Sequence, residues 1–423
     1  MNRTRKFVLA LIARGIVALS VVLVWSAAST PAQTPLPQDI SIAAPSSAVA
    51  PDAAAFSGVW LGAWGNELPT ALVVEQIGSD GEAHVIYAWG DSPLKRIKAG
   101  WNRQTGHISK GKLQLSSKGG PKIDFTAAPG TLLLGRYEVP DQPPSFAELH
   151  RIPATDISAI LAAAKKPAVP WEEIRVPVQS QVEPTKGKTF RLQTTIFRQA
   201  TAGRHPVVIY SHGSTGPGII PPTTIFRGGN EETFFHSLGY VVVVPMRKGR
   251  GLSDGPNLEE DESLSPAVQL DSAVEDLQAI VEYVSRRDDV DPKKIVLAGV
   301  SRGGLLSVAY AGRHPRNVAK VINFSGGWFG EGKVVEGFHV VGGFNTEVYG
   351  KAGQEAKIPM LWLYADHDSF YSLKFIEGEF SKFRGAGGRG ELVESRDIPG
   401  EGHLLCMWVD RWRDKVSSYL NGL

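Results

Sequence analysis

Two patterns of apolar residues divide the chain. From Phe56 to Ile152 they fall in short runs, at 71–77, 82–89, 107–109, 112–116, 122–126 and 131–138. Turn-forming residues separate the runs: Gly78-Ser79-Asp80-Gly81, Gly90-Asp91-Ser92-Pro93, Gly111, Lys118-Gly119-Gly120-Pro121 and Ala128-Pro129-Gly130. Strand-length runs punctuated this closely predict a small antiparallel β-barrel or sandwich over 56–152. From Glu172 onward, near-continuous apolar runs alternate with segments of helical period. Strands are expected at 174–178, 189–197, 206–210, 240–245, 294–298, 318–324, 359–364 and 391–396. Helices are expected at 231–238, 266–286, 302–313, 372–383 and 407–420. The first two strands read as an antiparallel pair. The later ones lack an exposed face, as strands buried on both sides of a parallel sheet do. The pattern therefore predicts an α/β domain over 172–423 with a doubly wound, mostly parallel sheet. Residues 153–171 form a connector with a short helix near Asp156 to Ala164, and 33–55, rich in Pro, Ala and Ser, reads as a flexible linker.

Composition narrows the function classes. A 42% hydrophobic and 21% charged chain is of the soluble globular kind. Net charge is +2 with Lys and Arg scattered, which sets nucleic-acid binding aside. Arg3, Arg5 and Lys6 followed by the apolar stretch Phe7 to Ala28 read as a signal peptide over 1–32, with small residues at Ser26-Ala27-Ala28 and Thr30-Pro31-Ala32 for cleavage. The expected location is periplasmic or secreted, without stable membrane insertion after cleavage; an uncleaved anchor is the alternative, because Arg14 interrupts a rather long apolar run. The sole cysteine, Cys406, has no partner for an internal disulfide.

The chemistry centres on Lys293 to Leu306. The apolar run Ile295-Val296-Leu297 meets Gly299-Val300-Ser301-Arg302-Gly303, and a helical pattern follows at once. A serine in a tight strand-to-helix turn has its oxygen aimed at a cleft, and the helix start offers backbone N–H groups for developing negative charge. Serine is a poor nucleophile alone and needs a base, an acid to orient the base, and oxyanion donors. Asp366 and Asp368 both lie in the loop after the strand 359–364 and compete for the acid role. His403, in the Gly-rich loop before the last helix, is the expected base. His236 lies inside a helical pattern, His314 precedes a proline, and His367 adjoins the acid. The expected oxyanion donors are the backbone N–H groups of Arg302, next to the serine, and Ser214, in Ser211-His212-Gly213-Ser214 after the strand 206–210. No metal-ligand spacing and no phosphate-binding glycine loop is present, so no cofactor and no metal are expected.

Several of these motifs resemble one family. Tyr210-Ser211-His212-Gly213, the stretch Arg247 to Gly255, Gly299 to Gly304, Asn323 to Trp328, Tyr364 to Asp368 and Gly402-His403 together resemble an α/β-hydrolase, nearest to the dienelactone hydrolase and prolyl-oligopeptidase-like esterases and peptidases. The resemblance covers about 172–423. It implies the chain order Ser301, Asp368, His403 for the triad, favours Asp368 over Asp366, and makes Arg247 a structural brace. Ala365 stands where glycine is usual, and serine replaces the cysteine nucleophile of dienelactone hydrolase. The opening Gly58-Val59-Trp60 resembles the start of lipocalin-like barrels, and Trp60, Trp64, Trp89 and Trp101 could either line a ligand cavity or fill a core. The implied function is hydrolysis of a small carboxylic ester through an acyl-enzyme. A secreted peptidase or amidase and a non-catalytic apolar-ligand-binding protein are the alternatives. The segment 329–357, rich in Gly and aromatics, is an insertion that covers the cleft or closes its own cluster.

Overall fold

The computed structural model describes residues 34–423 apart from 67, 93–96, 117–120, 129–130, 141, 154–155, 166–168, 215–225, 227–228, 315–317 and 332–341. The expected signal peptide 1–32, the turns at 118–120 and 129–130, and Phe338 of the insertion lie outside the described residues. Among the described residues no helix is long and apolar enough to cross a membrane.

The N-terminal strands are β1 (Gly58–Trp64), β2 (Leu68–Ile77), β3 (Glu82–Trp89), β4 (Gly100–Ser109), β5 (Lys112–Ser116), β6 (Lys122–Ala128), β7 (Leu132–Glu138) and β8 (Ser145–Ile152). They pair in sequence order, and β1 also pairs antiparallel with β8, so the sheet closes into a barrel rather than a sandwich. Two of these strands escape the sequence pattern. In β1, Gly62 breaks the apolar run, because a Cβ there would collide with the Glu148 carbonyl oxygen across the closure. In β8, Glu148 is buried where alternation calls for an apolar residue. Phe56, Trp60, Trp64, Tyr87 and Phe125 fill the interior. Their polar ends are satisfied inside it: Trp64 Nε1 donates to the Tyr87 hydroxyl at 2.9 Å and Trp60 Nε1 to the Phe56 carbonyl at 2.8 Å. Trp101 is exposed on the outside.

The reading of 33–55 as a flexible linker is corrected for its described part. Residues 34–55 run along the barrel wall, with Ile40, Val49 and Ala53 buried and a single helical turn, α1 (Pro51–Ala54). Ala43 N–H donates to the Glu75 carbonyl at 2.8 Å, and Arg103 clamps Asp39 at 2.9 Å and Glu75 at 3.1 Å. Average composition conceals the few apolar anchors that seat such a segment. Ile40 shares a cluster with Val59, Val73 and Ile160, the last from α2 (Ile157–Ala163), whose N-terminus Asp156 caps by accepting from Ala159 N–H at 2.8 Å.

The second sheet contains β9 (Trp171–Gln179), β10 (Thr189–Phe197), β11 (His205–Ser211), β12 (Val241–Pro245), β13 (Val290–Val300), β14 (Lys320–Phe324), β15 (Pro359–Ala365) and β16 (Arg389–Ser395), in the order β16-β15-β14-β13-β11-β12-β10-β9. β9 and β10 are antiparallel; β11 to β16 run parallel. The helices are α3 (Asn230–Ser237), α4 (Pro266–Ser285), α5 (Arg302–Arg313), α6 (Gly342–Glu355), α7 (Leu373–Gly385) and α8 (Val409–Leu420). Strand alternation sends Val207, Ile209, Ile295 and Leu297 to the face covered by α4 to α7. Val208, Tyr210, Val296 and Ala298 face α3 and α8. The sheet is thus doubly wound, as the apolar runs imply. Within the insertion, α6 is a core helix: Tyr349 is fully buried and its hydroxyl donates to the Gly326 carbonyl at 2.8 Å.

Barrel and sheet meet along β8 and α3. Asn230 accepts from Phe146 N–H at 3.0 Å and donates to the Pro144 carbonyl at 2.7 Å. His236 Nδ1 lies 2.7 Å from Glu148 Oε2, both side chains being 2% exposed, and His150 Nε2 lies 2.7 Å from Glu148 Oε1. His236 Nε2 faces the Arg198 carbonyl at 3.1 Å. Both nitrogens of His236 therefore face acceptors, which requires the doubly protonated, cationic ring.

Candidate active site

The turn between β13 and α5 is a single residue, Ser301, at φ 56° and ψ −125°. A non-glycine residue in this region is strained and persists only where neighbours fix it. Here they do: Ser301 N–H donates to the Phe324 carbonyl at 3.0 Å, and its carbonyl accepts from Gly304 at 3.0 Å and Gly327 at 3.1 Å. Gly303 is required because a Cβ there would run into the Ser211 carbonyl oxygen at the end of β11.

That close crossing brings the β11 loop against the serine. A Cβ on Gly213 would stand 3.2 Å from Ser301 Cβ, which sets Ser214 beside the elbow. Arg247 braces the loop, donating to the carbonyls of His212 at 2.8 Å and Gly213 at 3.2 Å. Glu259 holds Arg247 in turn, at 3.1 Å from Nη2. Burial pushes the Glu259 carboxyl up, but Arg247, with Arg250 and Arg302, outweighs it and holds the group far below the usual carboxylate range. Burial, then the Arg247 charge, lowers His212 well below its ordinary value; its Nδ1 donates to the Gly213 carbonyl at 2.7 Å while Nε2 accepts from Arg247 N–H at 3.4 Å. His212 is thereby a neutral structural ring. Arg302 heads α5, so its N–H is among the helix's unpaired donors. Its side chain turns away to Glu260 at 2.7 Å and the Trp328 carbonyl at 3.2 Å.

The two candidate acids separate clearly. Asp368 lies 3.0 Å from His403 Nδ1 and also accepts from Phe370 N–H at 2.8 Å and Tyr371 N–H at 3.1 Å. Its side chain is fully shielded. Asp366 instead meets His367 at 3.3 Å and Asp397 N–H at 3.3 Å. Glu401 ties the two loops together: one carboxylate oxygen accepts from Ser369 N–H at 2.9 Å and His403 N–H at 3.1 Å. Sequence reading missed Glu401; its place two residues before the histidine is the one local signal. Of the other histidines, His236 sits at the domain interface, His314 packs on Tyr310 with centroids 4.8 Å apart, and His367 is exposed.

Ser301 and His403 share a wall without a direct hydrogen bond among the described residues. Gly327, which bonds the Ser301 carbonyl, abuts the Tyr371 hydroxyl, and the Tyr371 ring lies 5.7 Å from that of His403. Catalytic hydrogen bonds of this kind often close only around substrate. Among the described residues no group of three or more His, Cys, Asp or Glu is placed to hold a metal ion.

A serine at the β13–α5 elbow, with Asp368 and His403 in the loops after β15 and β16 of a doubly wound sheet, is the arrangement of an α/β-hydrolase fold. Residues 207–387 match the model of the Dienelactone hydrolase family. Solved structures similar to the chain include acetyl xylan esterase 1 from Thermoanaerobacterium sp. (16% identity over 60% of this chain and 87% of that one, TM-score 0.40). Est1E from Butyrivibrio proteoclasticus, with ferulic acid bound, is 16% identical over 54% of this chain and 96% of its own, TM-score 0.40. Acylaminoacyl peptidase from Pyrococcus horikoshii is 14% identical over 84% of this chain and 62% of its own, TM-score 0.43.

Proposed function

We propose that the protein is a serine hydrolase that cleaves carboxylic esters through an acyl-enzyme. The observation that carries this reading is the shielded Asp368–His403 pair on the same wall as Ser301, held at positive φ. In the proposed cycle His403 Nε2 takes the Ser301 proton as Oγ attacks the ester carbonyl, while Asp368 fixes the proton on Nδ1. The N–H groups of Ser214 and Arg302 hold the oxyanion. Collapse breaks the bond to the leaving alcohol, which receives the proton from His403, and water then repeats the sequence to free the acid. Export to the periplasm or the medium is part of the same proposal, supported by the basic and apolar N-terminal stretch. The filled barrel interior favours the enzyme over capture of an apolar ligand inside the barrel.

A fluorophosphonate probe tests the nucleophile. Wild-type protein is expected to label and Ser301→Ala is not; folded wild-type protein that stays unlabelled would sink the reading. Glu401→Ala frees two backbone donors that align acid and base, and a misplacement of that kind is expected to lower kcat about tenfold. Glu401→Gln keeps an acceptor oxygen and should recover most of the rate, which steady-state kinetics on a short-chain ester would show.

A further inference from the structure

Six large hydrophobic side chains are exposed among the described residues, and Phe370, at 45%, is the most exposed. Its neighbours make that exposure unusual. The Phe370 ring centroid lies 4.5 Å from that of His403 and 6.4 Å from that of Tyr371. Its backbone is pinned on both sides: N–H donates to Asp368 at 2.8 Å, and the carbonyl accepts from Glu331 N–H at 2.8 Å. Glu331 also accepts from Ser372 N–H at 3.1 Å and Ser372 Oγ at 2.9 Å, closing the loop around it. A large apolar ring left in water on a backbone fixed beside the imidazole gains free energy when a ligand covers it.

We infer that Phe370 is a specificity-determining platform for the leaving-group side of the substrate, and that the preferred ester carries a flat aromatic group on its alcohol portion. This rests on the proposed roles of Ser301 and His403. The leaving oxygen must come within about 3 Å of His403 Nε2 to receive its proton. Nδ1 is occupied by Asp368, so the leaving group projects from the other end of the imidazole. The Phe370 ring, 4.5 Å from the imidazole, is within reach of a substituent carried one or two bonds beyond that oxygen. Nothing polar in the Phe370 side chain can recognise a charged or hydroxylated group, so the selected feature is a π-face.

The test compares benzyl acetate with ethyl acetate, whose acyl groups are the same. Phe370→Ala is expected to lower kcat/KM for benzyl acetate about ten times more than for ethyl acetate, and Phe370→Trp should restore the ratio. The bond from Phe370 to Asp368 is made by the backbone, so side-chain truncation leaves it in place. Equal losses on both esters would mean that Phe370 acts only through the acid loop and would overturn the inference while leaving the ester-hydrolase reading intact. A protein that cleaves neither ester and takes no label at Ser301 fails at the earlier step, and this inference falls with it.

Discussion

Asp368→Asn is expected to lower kcat/KM for ester hydrolysis by about 10⁴-fold, with the folded state preserved. The replacement keeps the shape of the side chain and reverses its chemistry. Asp368 accepts three hydrogen bonds, from Phe370 N–H, Tyr371 N–H and His403 Nδ1. An asparagine that turns its oxygen to the two backbone donors offers its NH₂ to His403. The imidazole then carries its proton on Nε2, where it cannot accept one from Ser301. Asp366→Asn, which among the described residues alters contacts to His367 and Asp397, should stay within about threefold of wild type, as changes away from such networks do. Parallel kinetics on the two variants, with thermal unfolding to verify folding, decide the matter. A larger loss at Asp366 would reassign the acid.

His236→Ala is expected to cost about 3 kcal/mol of stability, the largest effect foreseen away from Ser301, Asp368 and His403. The substitution leaves Glu148 buried with only His150 opposite it. The pair also sets a pH dependence whose sign is fixed. Burial pushes Glu148 up, but the hydrogen bonds from His150 and His236 outweigh burial and hold it at about 2, below its ordinary 4.5. Its contribution is fully present above about pH 4.5 and is lost as pH falls through about 2. Burial pushes His236 down, but the Glu148 hydrogen bond and charge outweigh it and raise the ring above its ordinary 6.5. That contribution is fully present below about pH 6.5 and is lost as pH rises through the raised value. The pair therefore acts at full strength between about pH 4.5 and 6.5. Urea unfolding of wild type and His236→Gln from pH 5 to 9 should show the stability gap narrowing with rising pH; a constant gap would refute the pairing.

How much of this was legible before the structure depends on what each residue does. The sheet strands could be read because both faces are buried, which leaves uninterrupted runs such as Val241 to Val244. The elbow could be read because Gly299 and Gly303 flank the serine at the spacing a tight strand-to-helix crossing needs, although the atoms they make room for include the distant Ser211 carbonyl. The candidate acid was narrowed to two neighbours by its loop and to Asp368 by the family resemblance, and the contact with His403 falls on the same residue. What stayed hidden depends on distant partners. β8 is masked by Glu148, whose burial makes sense beside His150 and the distant His236. The anchoring of 34–55 depends on Arg103 and Glu75, far along the chain. Glu401 gains its role from a bond to a loop 32 residues earlier. Phe370 looks like any surface aromatic until the imidazole lies next to it.

The buried carboxylate of β8 also bears on how the chain assembles. Glu148 waits for a partner 88 residues further on, in the first helix of the other domain. During synthesis the barrel can close its backbone ladder once β8 emerges, with His150 then the one histidine beside Glu148. Folding of the hydrolase sheet thus supplies the second partner of a carboxylate that the barrel alone leaves half paired.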